Sequence, residues 1–252
     1  MTLLLQIAWS EPETAVEILD TAAHATVGEG RVAHGDDDAG DPAAWWSATC
    51  EASRLALDAA AAAVGQDGSE LRAVVLGPAN PPGGLVALDA DGAVLAALVG
   101  SHTESAADAK WLLSHTDGGS DAWLAATDVE PTAGSTVALL SWLHRTDGDA
   151  WAASRRFTLP TGWLLEQLGG DAAVGVHDAV GTAVLDRRDG RSWRTELLGV
   201  VDADRDWARA LPAVVPTAEP VGLLAAGAAE AMGVPPDLPL HVGDAPPTSA
   251  GG

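Results

Sequence analysis

The order of the predicted strands and helices is the feature that most constrains the fold of this chain. Three strands come first, at 3–8, 14–20 and 31–33, the second of them with apolar and acidic residues in alternation. Helices and strands then alternate, beginning with a long alanine-rich helix over 42–64 and a buried strand over 71–76. This order predicts an α/β domain with a mixed sheet and flanking helices.

Local signals indicate where several elements begin and end. Asp41 followed by Pro42 is typical of a helix N-cap and first helical position, and Gly65 is placed to close the same helix. The stretch GEG (28–30) predicts a turn into the third strand and not a dinucleotide-binding loop, because no third glycine follows at the required spacing. Asp-Gly at 91–92 predicts a β-hairpin.

The hairpin joins predicted strands at 85–88 and 93–99, and the chain beyond it is mostly helical in pattern. Predicted helices lie near 105–114, 119–127, 134–145, 161–168, 204–211 and 222–232. Leucine or tryptophan recurs at three- and four-residue spacing in the first four of them. We therefore expect these tryptophans to pack in a core and not to contact a ligand.

The net charge excludes some classes of partner. Thirty-six acidic residues against 13 basic ones give a net charge of −23. A surface this anionic repels nucleic acid and anionic lipid, so we expect neither as a partner. Adaptation to salt is an alternative explanation of the acidity.

The single cysteine and the apolar runs bear on localisation. Cys50 has no intramolecular disulfide partner, which agrees with a reducing cytoplasm, and in a tryptophan-rich helix it is interpreted as a small buried side chain and not a nucleophile. The apolar run 3–9 lacks the flanks of a signal peptide and is interpreted as a strand. No run of about 18 uncharged apolar residues exists, so we expect no membrane span.

Metal and nucleotide motifs are absent from the sequence. The seven histidines are scattered without metal-ligand spacing, and the sequence predicts no metal site. The acidic run 36–38 is interpreted as a solvated loop and not as a cation site. Neither a phosphate-binding loop of the G-x-x-x-x-G-K-[ST] type nor a G-x-S-x-G elbow occurs.

Several longer stretches carry a family resemblance. In chain order they are WWSATCEASRLAL (45–57), LVALDADGAVLAALV (85–99), GGSDAWLAATDVEPTAG (118–134), HDAVGTAVLDRRDGRSW (177–193) and HVGD (241–244). The series resembles the FGGY carbohydrate kinases, and within them the xylulokinases. The resemblance implies a ribonuclease H-like, actin-like domain, the first of two that close over sugar and ATP. We expect this domain over 1–240, with the start of the second domain and a flexible tail over 241–252.

The first family motif is a D-x-G-T turn, in which the Asp organises Mg²⁺ and backbone amides approach the phosphates. The matching stretch is AWSEP (8–12), with Ala8 at the metal-side Asp position and Ser10 at the glycine position. Glu11 adds negative charge there, and Pro12 removes an amide donor. The resemblance therefore implies that the residues for ATP and Mg²⁺ are largely lost, and we expect no cofactor.

Two further motifs contact the sugar in the family. The place of G-Q-M-H-G is taken by NPPGG (80–84), and the place of W-N-D-x-R by GSHTE (100–104), which puts Glu104 at the arginine position. Ser101, His102 and Glu104 remain candidates for contact with a small sugar, with a different donor pattern from that of the family.

The fourth motif, T-D-x-S-D-A-S-G-T, holds the general base in the resemblance. The matching stretch is VGVHDAVGT (174–182), and the base position is Gly175, which has no titratable side chain. His177 and Asp178 are the candidate substitutes. Asp178 matches the second aspartate of the motif, which in such loops is more often structural.

These losses favour a non-catalytic relative of the xylulokinase-like FGGY kinases that acts as a binding or regulatory module. Such a module would pair with a protein partner, or with itself, through the face that the second domain covers in the family. One alternative is half of a split carbohydrate kinase completed by a separate chain. Another is a decaying gene product with no selected role.

Overall fold

The computed structural model of the chain describes residues 2–35, 40–65, 68–217 and 219–243. The acidic run 36–38, Asp244 of the HVGD stretch and the expected flexible tail lie outside the described residues. The described residues form two compact units, one made of those that lie within 2–80, 164–173 and 216–243 and the other of 81–163 and 174–215. The expected boundary between first and second kinase domains at residue 240 stays a prediction.

The elements in chain order are β1 (Leu3–Trp9), β2 (Glu13–Asp20), β3 (Ala25–Ala33), α1 (Pro42–Val64), β4 (Leu71–Leu76), β5 (Leu85–Leu88), β6 (Val94–Leu98), a 3₁₀ turn (Thr103–Ser105), α2 (Ala106–His115), α3 (Gly119–Thr127), α4 (Thr136–Thr146), α5 (Gly148–Ala153), β7 (Arg156–Thr158), α6 (Pro160–Leu168), β8 (Ala173–Gly175), α7 (Val176–Val180), α8 (Thr195–Leu198), α9 (Trp207–Ala210), β9 (Ala213–Val215), α10 (Ala226–Met232) and β10 (Leu240–Val242).

The first unit is built on a five-stranded sheet in the order β10-β4-β1-β2-β3. β1 pairs antiparallel with β2, and β2 with β3, whereas β4 runs parallel to both β1 and β10. This mixed sheet, with helices beside it, confirms the predicted fold class. Helix α1 packs on β2 and β3.

The predicted limits of α1 are confirmed. The Asp41 carboxylate accepts a hydrogen bond from the amide of Ala43, Pro42 is the first helical residue, and Gly65 follows the helix with φ 71°. The amide of Gly65 also bonds to the carbonyl of Ala61. Cys50 is buried in this helix, and burial raises the pKa of its thiol, which agrees with a packing role.

The turn predicted over 28–30 is wrong, because both glycines lie inside β3. A Cβ on Gly28 would stand 2.2 Å from the carbonyl oxygen of Ala56, and a Cβ on Gly30 would stand 2.1 Å from that of Ala52. Glycine is present because the strand runs directly under the backbone of α1. The turn itself comes earlier, at 21–24, and its last residue, His24, has φ 51°.

In the second unit β5 and β6 form the predicted hairpin, and β7 extends the sheet in the order β6-β5-β7. The Asp89 carboxylate accepts the amides of Asp91 and Ala93, and Gly92 has φ 84°. Helices α2 to α4 match three of the predicted helices, and Trp123 of α3 packs in the core of this unit as expected. Trp111 of α2 does not, because its side chain lies on the solvent side of the helix and is 41% exposed.

The helix predicted over 222–232 is shorter, because its first residues pair with an extended segment. The amide of Leu224 donates to the carbonyl of Leu238, and that of Leu240 donates to the carbonyl of Gly222. α10 therefore begins only at Ala226. Among the helices of the described residues, none has the length and apolar character to cross a membrane.

A substitution at Glu17, in β2, tests how much its buried carboxyl group costs the stability of the folded chain. Its side chain is 3% exposed, and burial, followed by the facing Glu29, raises the pKa of its carboxyl group. Since the folded chain disfavours the ionised carboxylate, this cost to stability grows as the pH rises above the ordinary glutamate range. We expect Glu17→Gln to raise the free energy of unfolding at pH 7 by on the order of 1 kcal/mol.

The measurement is urea unfolding of both proteins at pH 7 and at pH 4. The gain from Glu17→Gln should shrink at pH 4, where wild-type Glu17 takes up a proton. Glu51→Gln, at an exposed position of α1, is the matched control and should change little at either pH. A Glu17→Gln protein less stable than wild type at pH 7 would contradict the prediction.

Candidate functional site

The stretch matched to the phosphate-binding turn connects β1 and β2 in the first unit. Ser10 donates its amide and its hydroxyl to the carbonyl of Glu13, at 3.0 and 2.8 Å. Pro12 has no amide proton, and its carbonyl accepts the amide of His34 at 2.8 Å. The turn thus uses the Ser10 amide for its own closure, and it lacks the glycine that lets backbone approach an anion.

His34 stabilises this turn through two hydrogen bonds of its ring. It was not predicted from the sequence. Its Nδ1 lies 2.9 Å from the Glu11 carbonyl and donates to it, so Nε2 accepts the hydroxyl of Thr14 at 2.9 Å. Trp9 stands beside it, with ring centroids 6.4 Å apart, and packs edge-on against Trp45 at 5.0 Å. No spacing in the sequence points to this arrangement, because it joins residues from two strands and a helix.

The residues of this turn do not fit a Mg²⁺–ATP site. Ala8 carries no metal ligand, and Glu11 would place a negative charge near a phosphate. Among the described residues, no group of three or more histidine, cysteine or acidic side chains is arranged to hold a metal ion.

Three of the other matched stretches meet at one cavity in the second unit. The cavity has a volume of about 320 Å³. Pro81 and Pro82 come from the second stretch, Gly100 from the third, and Gly181 from the fourth. The remaining lining residues are Val129, Glu130, Thr132, Ala133, Gly134, Ser135, Val180 and Ala183.

The floor of the cavity is made of glycines whose backbones touch. A Cβ on Gly134 would stand 1.7 Å from the carbonyl oxygen of Gly100, and a Cβ on Gly181 would stand 2.7 Å from the amide nitrogen of Gly83. The Ser105 hydroxyl accepts the amide of Gly134 at 3.0 Å. These segments approach so closely that only glycine fits between them.

Among the described residues that line the cavity, Glu130 is the charged one. Its carboxylate accepts a hydrogen bond from the hydroxyl of Ser120. Val180 is 46% exposed. The lining is otherwise backbone and small side chains, so the cavity offers a ligand mainly amide dipoles and apolar contact. Sequence reasoning missed Glu130, because no motif marks it.

The predicted substitute bases do not line this cavity. Gly175 is buried and precedes α7, with φ −70° and ψ 155°. Asp178 is 4% exposed, and its Oδ2 accepts the hydroxyl of Thr161 at 2.7 Å, a structural contact. His177 is exposed on α7. Their catalytic roles stay predictions.

The three predicted substrate residues lie after β6 and likewise do not line the cavity. The His102 ring packs edge-on against Trp142, with centroids 4.6 Å apart. Its Nε2 lies 3.9 Å from a carboxylate oxygen of Glu104, whose side chain is 71% exposed. Ser101 is exposed. Of the stretch 100–104, only Gly100 reaches the cavity.

A larger cavity, of about 570 Å³, lies elsewhere in the second unit, between α2 and α4. The Arg145 guanidinium donates to both oxygens of the buried Asp108, at 3.1 and 2.8 Å. None of the matched motif positions lines this cavity. The smaller cavity is therefore the one lined by stretches that the sequence analysis matched to family motifs.

Comparison with known proteins identifies the class as a sugar-kinase fold. The crystal structure of a xylulose kinase from Rhodospirillum rubrum superposes with a TM-score of 0.80 at 20% identity, over 96% of this chain and 49% of that chain. A glycerol kinase from Plasmodium falciparum gives a TM-score of 0.75 at 13% identity, over 96% and 48% of the two chains. At sequence identities this low, the structural similarity shows a shared fold and does not extend to function.

Sequence comparison identifies the family within this class of fold. The profile of the N-terminal domain of the FGGY family of carbohydrate kinases matches residues 25–246. A xylulose kinase from Streptomyces rubiginosus is 32% identical over 185 residues, which make up 71% of this chain and 36% of that protein. The chain thus belongs to the FGGY family of carbohydrate kinases and matches its N-terminal domain. The chain spans about half the length of the kinase structures it matches. Its alignment with the Streptomyces rubiginosus xylulose kinase covers 36% of that protein.

Proposed function

We propose that this chain is a non-catalytic FGGY-family module that binds and does not phosphorylate. The observation that carries the proposal is the lining of the 320 Å³ cavity, where three of the matched stretches meet. A sugar kinase needs a base within hydrogen-bond reach of the attacking hydroxyl. Among the described residues around this cavity, Glu130 is the acidic side chain, and it accepts a hydrogen bond from Ser120.

The expected loss of activity is large because two contributions are missing together. General base catalysis typically contributes about 10²–10⁴-fold. Charge stabilisation of phosphoryl transfer contributes comparably or more, and the turn at 8–12 lacks both the metal-side carboxylate and the glycine. With both contributions missing, little turnover above the uncatalysed rate is expected.

The test is an ATP-dependent phosphorylation assay on the purified chain, with D-xylulose and related pentoses and ketoses. We expect no product above background from protein shown to be folded by circular dichroism. The Streptomyces rubiginosus xylulose kinase, run in parallel, is the positive control. Turnover that Asp178→Asn abolishes would contradict the proposal and make Asp178 the catalytic group.

A small sugar remains the ligand class that the family suggests for the cavity. The lining supports contact through backbone groups and Glu130, since Ser101, His102 and Glu104 lie outside it. Binding of D-xylulose without turnover, measured by calorimetry, would support a sensing role. We further propose a protein partner, or a second copy, on the surface that the rest of the kinase covers in the family, which light scattering would detect.

The alternative is half of a split carbohydrate kinase. It is favoured by the extent of the match, 96% of this chain against 49% of the Rhodospirillum rubrum kinase. Its test is the same assay after addition of the other half of a xylulose kinase as a separate polypeptide. Activity that appears only in the mixture would establish it.

A further inference from the structure

The 570 Å³ cavity between α2 and α4 is lined by one face of each helix. The six residues that the helices contribute stand three or four positions apart within each helix, and they are Ala107, Asp108, Trp111, Ser141, His144 and Arg145. Val201, which follows α8, completes the lining. Small-molecule sites have volumes of about 300–1,000 Å³ and combine apolar surface with a few polar groups. The size and lining of this cavity are those of such a site.

Trp111 provides an aromatic surface in this cavity. It is 41% exposed, although a tryptophan usually packs in the core. One face of its ring is covered by His115, which stacks on it with centroids 4.3 Å apart and an interplanar angle of 22°. The other face is therefore the one that the indole can offer to the cavity. Ala107 and Val201 add aliphatic surface beside it.

Arg145 provides hydrogen-bond donors whose orientation is fixed. Its Nε and one Nη donate to the two oxygens of Asp108, at 3.1 and 2.8 Å, and the Ser141 hydroxyl also donates to Asp108. The Asp108 side chain is 4% exposed, so it holds the guanidinium in place but is itself out of reach of a ligand. The Arg145 side chain is 57% exposed, and three of its five N–H groups are not used by Asp108. These three N–H groups form a preoriented donor set.

His144 adds a group that can donate or accept. Its ring stacks on Trp151, with centroids 4.6 Å apart and an interplanar angle of 24°, and the residue is exposed. This stacking fixes the plane of the imidazole, whose nitrogens remain at the cavity edge as donor and acceptor. The cavity thus combines one aromatic face with polar groups on α4.

Charge decides which class of ligand suits this lining. An anion would meet a guanidinium whose charge Asp108 already balances, in a chain with a net charge of −23. A cation would be repelled by Arg145. A purely apolar ligand would cover the N–H groups of Arg145 without giving them an acceptor, which is costly. The ligand that remains is uncharged, with an apolar face and a hydrogen-bonding edge.

We propose that the cavity between α2 and α4 binds a neutral pyranose sugar. In a pyranose the ring hydrogens make a face apolar, while the hydroxyl groups project around the edge. That apolar face packs on Trp111, and the hydroxyl oxygens accept hydrogen bonds from the outer N–H groups of Arg145 and bond to His144. A flat heterocycle fits less well, because the cavity offers it one aromatic face and aliphatic groups. The site is separate from the 320 Å³ cavity and exists whether the chain is catalytic or not.

The experiment is an NMR titration of the whole chain with methyl β-D-glucopyranoside and its galacto and xylo counterparts. The indole N–H signal that is missing from the spectrum of Trp111→Phe belongs to Trp111. We expect at least one of the three sugars to shift this signal saturably. Each sugar is taken to about 100 mM, because a single ring is expected to bind with a Kd near 1 mM or weaker.

Variants test the contacts, with affinity measured by saturation transfer to the sugar. Trp111→Ala should weaken binding by about tenfold or more, and Trp111→Phe, which keeps an aromatic ring, should weaken it less. Arg145→Lys keeps a charge beside Asp108 but loses the planar donor set, and should weaken binding by about fivefold or more. Leu124→Ala, at a position of α3 that is also 41% exposed, is the matched control and should bind like wild type.

Four outcomes would overturn the proposal. They are no saturable shift of the Trp111 indole with any of the three sugars, equal affinity of wild type and a folded Trp111→Ala, and binding that Glu130→Gln weakens but Trp111→Ala does not, which would place the sugar in the smaller cavity. The fourth is tighter binding at Trp111 of adenosine or glucuronate than of every pyranoside, which would assign the site to a flat base or an anion. The titration contains no ATP and no D-xylulose, so it and the tests of the proposed function can fail separately.

Discussion

Gly134→Ala is expected to lower the free energy of unfolding by about 2–5 kcal/mol. Alanine at φ 82° costs about 1–2 kcal/mol by itself. In addition, the new Cβ would stand 1.7 Å from the carbonyl oxygen of Gly100, so one of two backbone segments must move, at a further cost of about 1–3 kcal/mol. Urea unfolding followed by tryptophan fluorescence measures the loss.

Gly190→Ala is the matched control for this substitution. Gly190 also has a positive φ, of 62°, but no atom lies within 4 Å of where its Cβ would be. It should lose only the backbone cost, about 1 kcal/mol. If the two variants lose equal stability, the close approach of Gly134 to Gly100 under the cavity does not exist in solution. If Gly134→Ala loses clearly more, the glycine floor of the cavity is established.

Arg205→Met is expected to lower the free energy of unfolding by about 2–3 kcal/mol, because it removes the charged donor of two hydrogen bonds and one partner of a half-buried ion pair. Its guanidinium carbon lies 4.3 Å from the ring centroid of Trp151 and 5.0 Å from that of Phe157. Nη1 donates to the carbonyl of Ser154, Nη2 donates to that of Trp151, and Nε lies 3.5 Å from the Asp202 carboxylate. Methionine keeps apolar packing but loses these polar contacts.

The control for Arg205 is another arginine of the same unit. Arg209 is 88% exposed and lies 3.9 Å from Asp206, so Arg209→Met should change the free energy of unfolding by less than about 0.5 kcal/mol. The measurement is thermal unfolding of the wild type, Arg205→Met and Arg209→Met. Equal midpoints for the wild type and Arg205→Met would show that the packing of Trp151 and Phe157 does not need the guanidinium. A large loss would show that Arg205 ties the segment before α9 to the core.

Local signals in the sequence were sufficient to place several elements. Asp41 and Gly65 delimit α1 because each acts on backbone groups within a few residues. Asp89 and Gly92 define the β5–β6 hairpin for the same reason. The helical periodicity also located α2 to α4, since it depends on side chains three and four residues apart.

The same kind of reasoning failed where a distant segment decides the conformation. Gly28 and Gly30 suggested a turn, but α1 lies over them and requires strand backbone without a Cβ. The residues at 222–224 suggested a helix, but the segment at 238–240 pairs with them. In each case the competing interaction comes from residues far along the chain, which a local pattern does not contain.

The sequence by itself was sufficient to identify the family. It also shows that Ala8 and Gly175, the residues matched to the metal-side aspartate and to the base, have no titratable side chain in any conformation. Only the tertiary structure decided which residues surround the cavity. It brought Gly100, Gly134 and Gly181 together, added Glu130, and left His102 against Trp142. A side chain's chemistry is a property of one residue, whereas a cavity depends on backbone segments that meet only after the chain has folded.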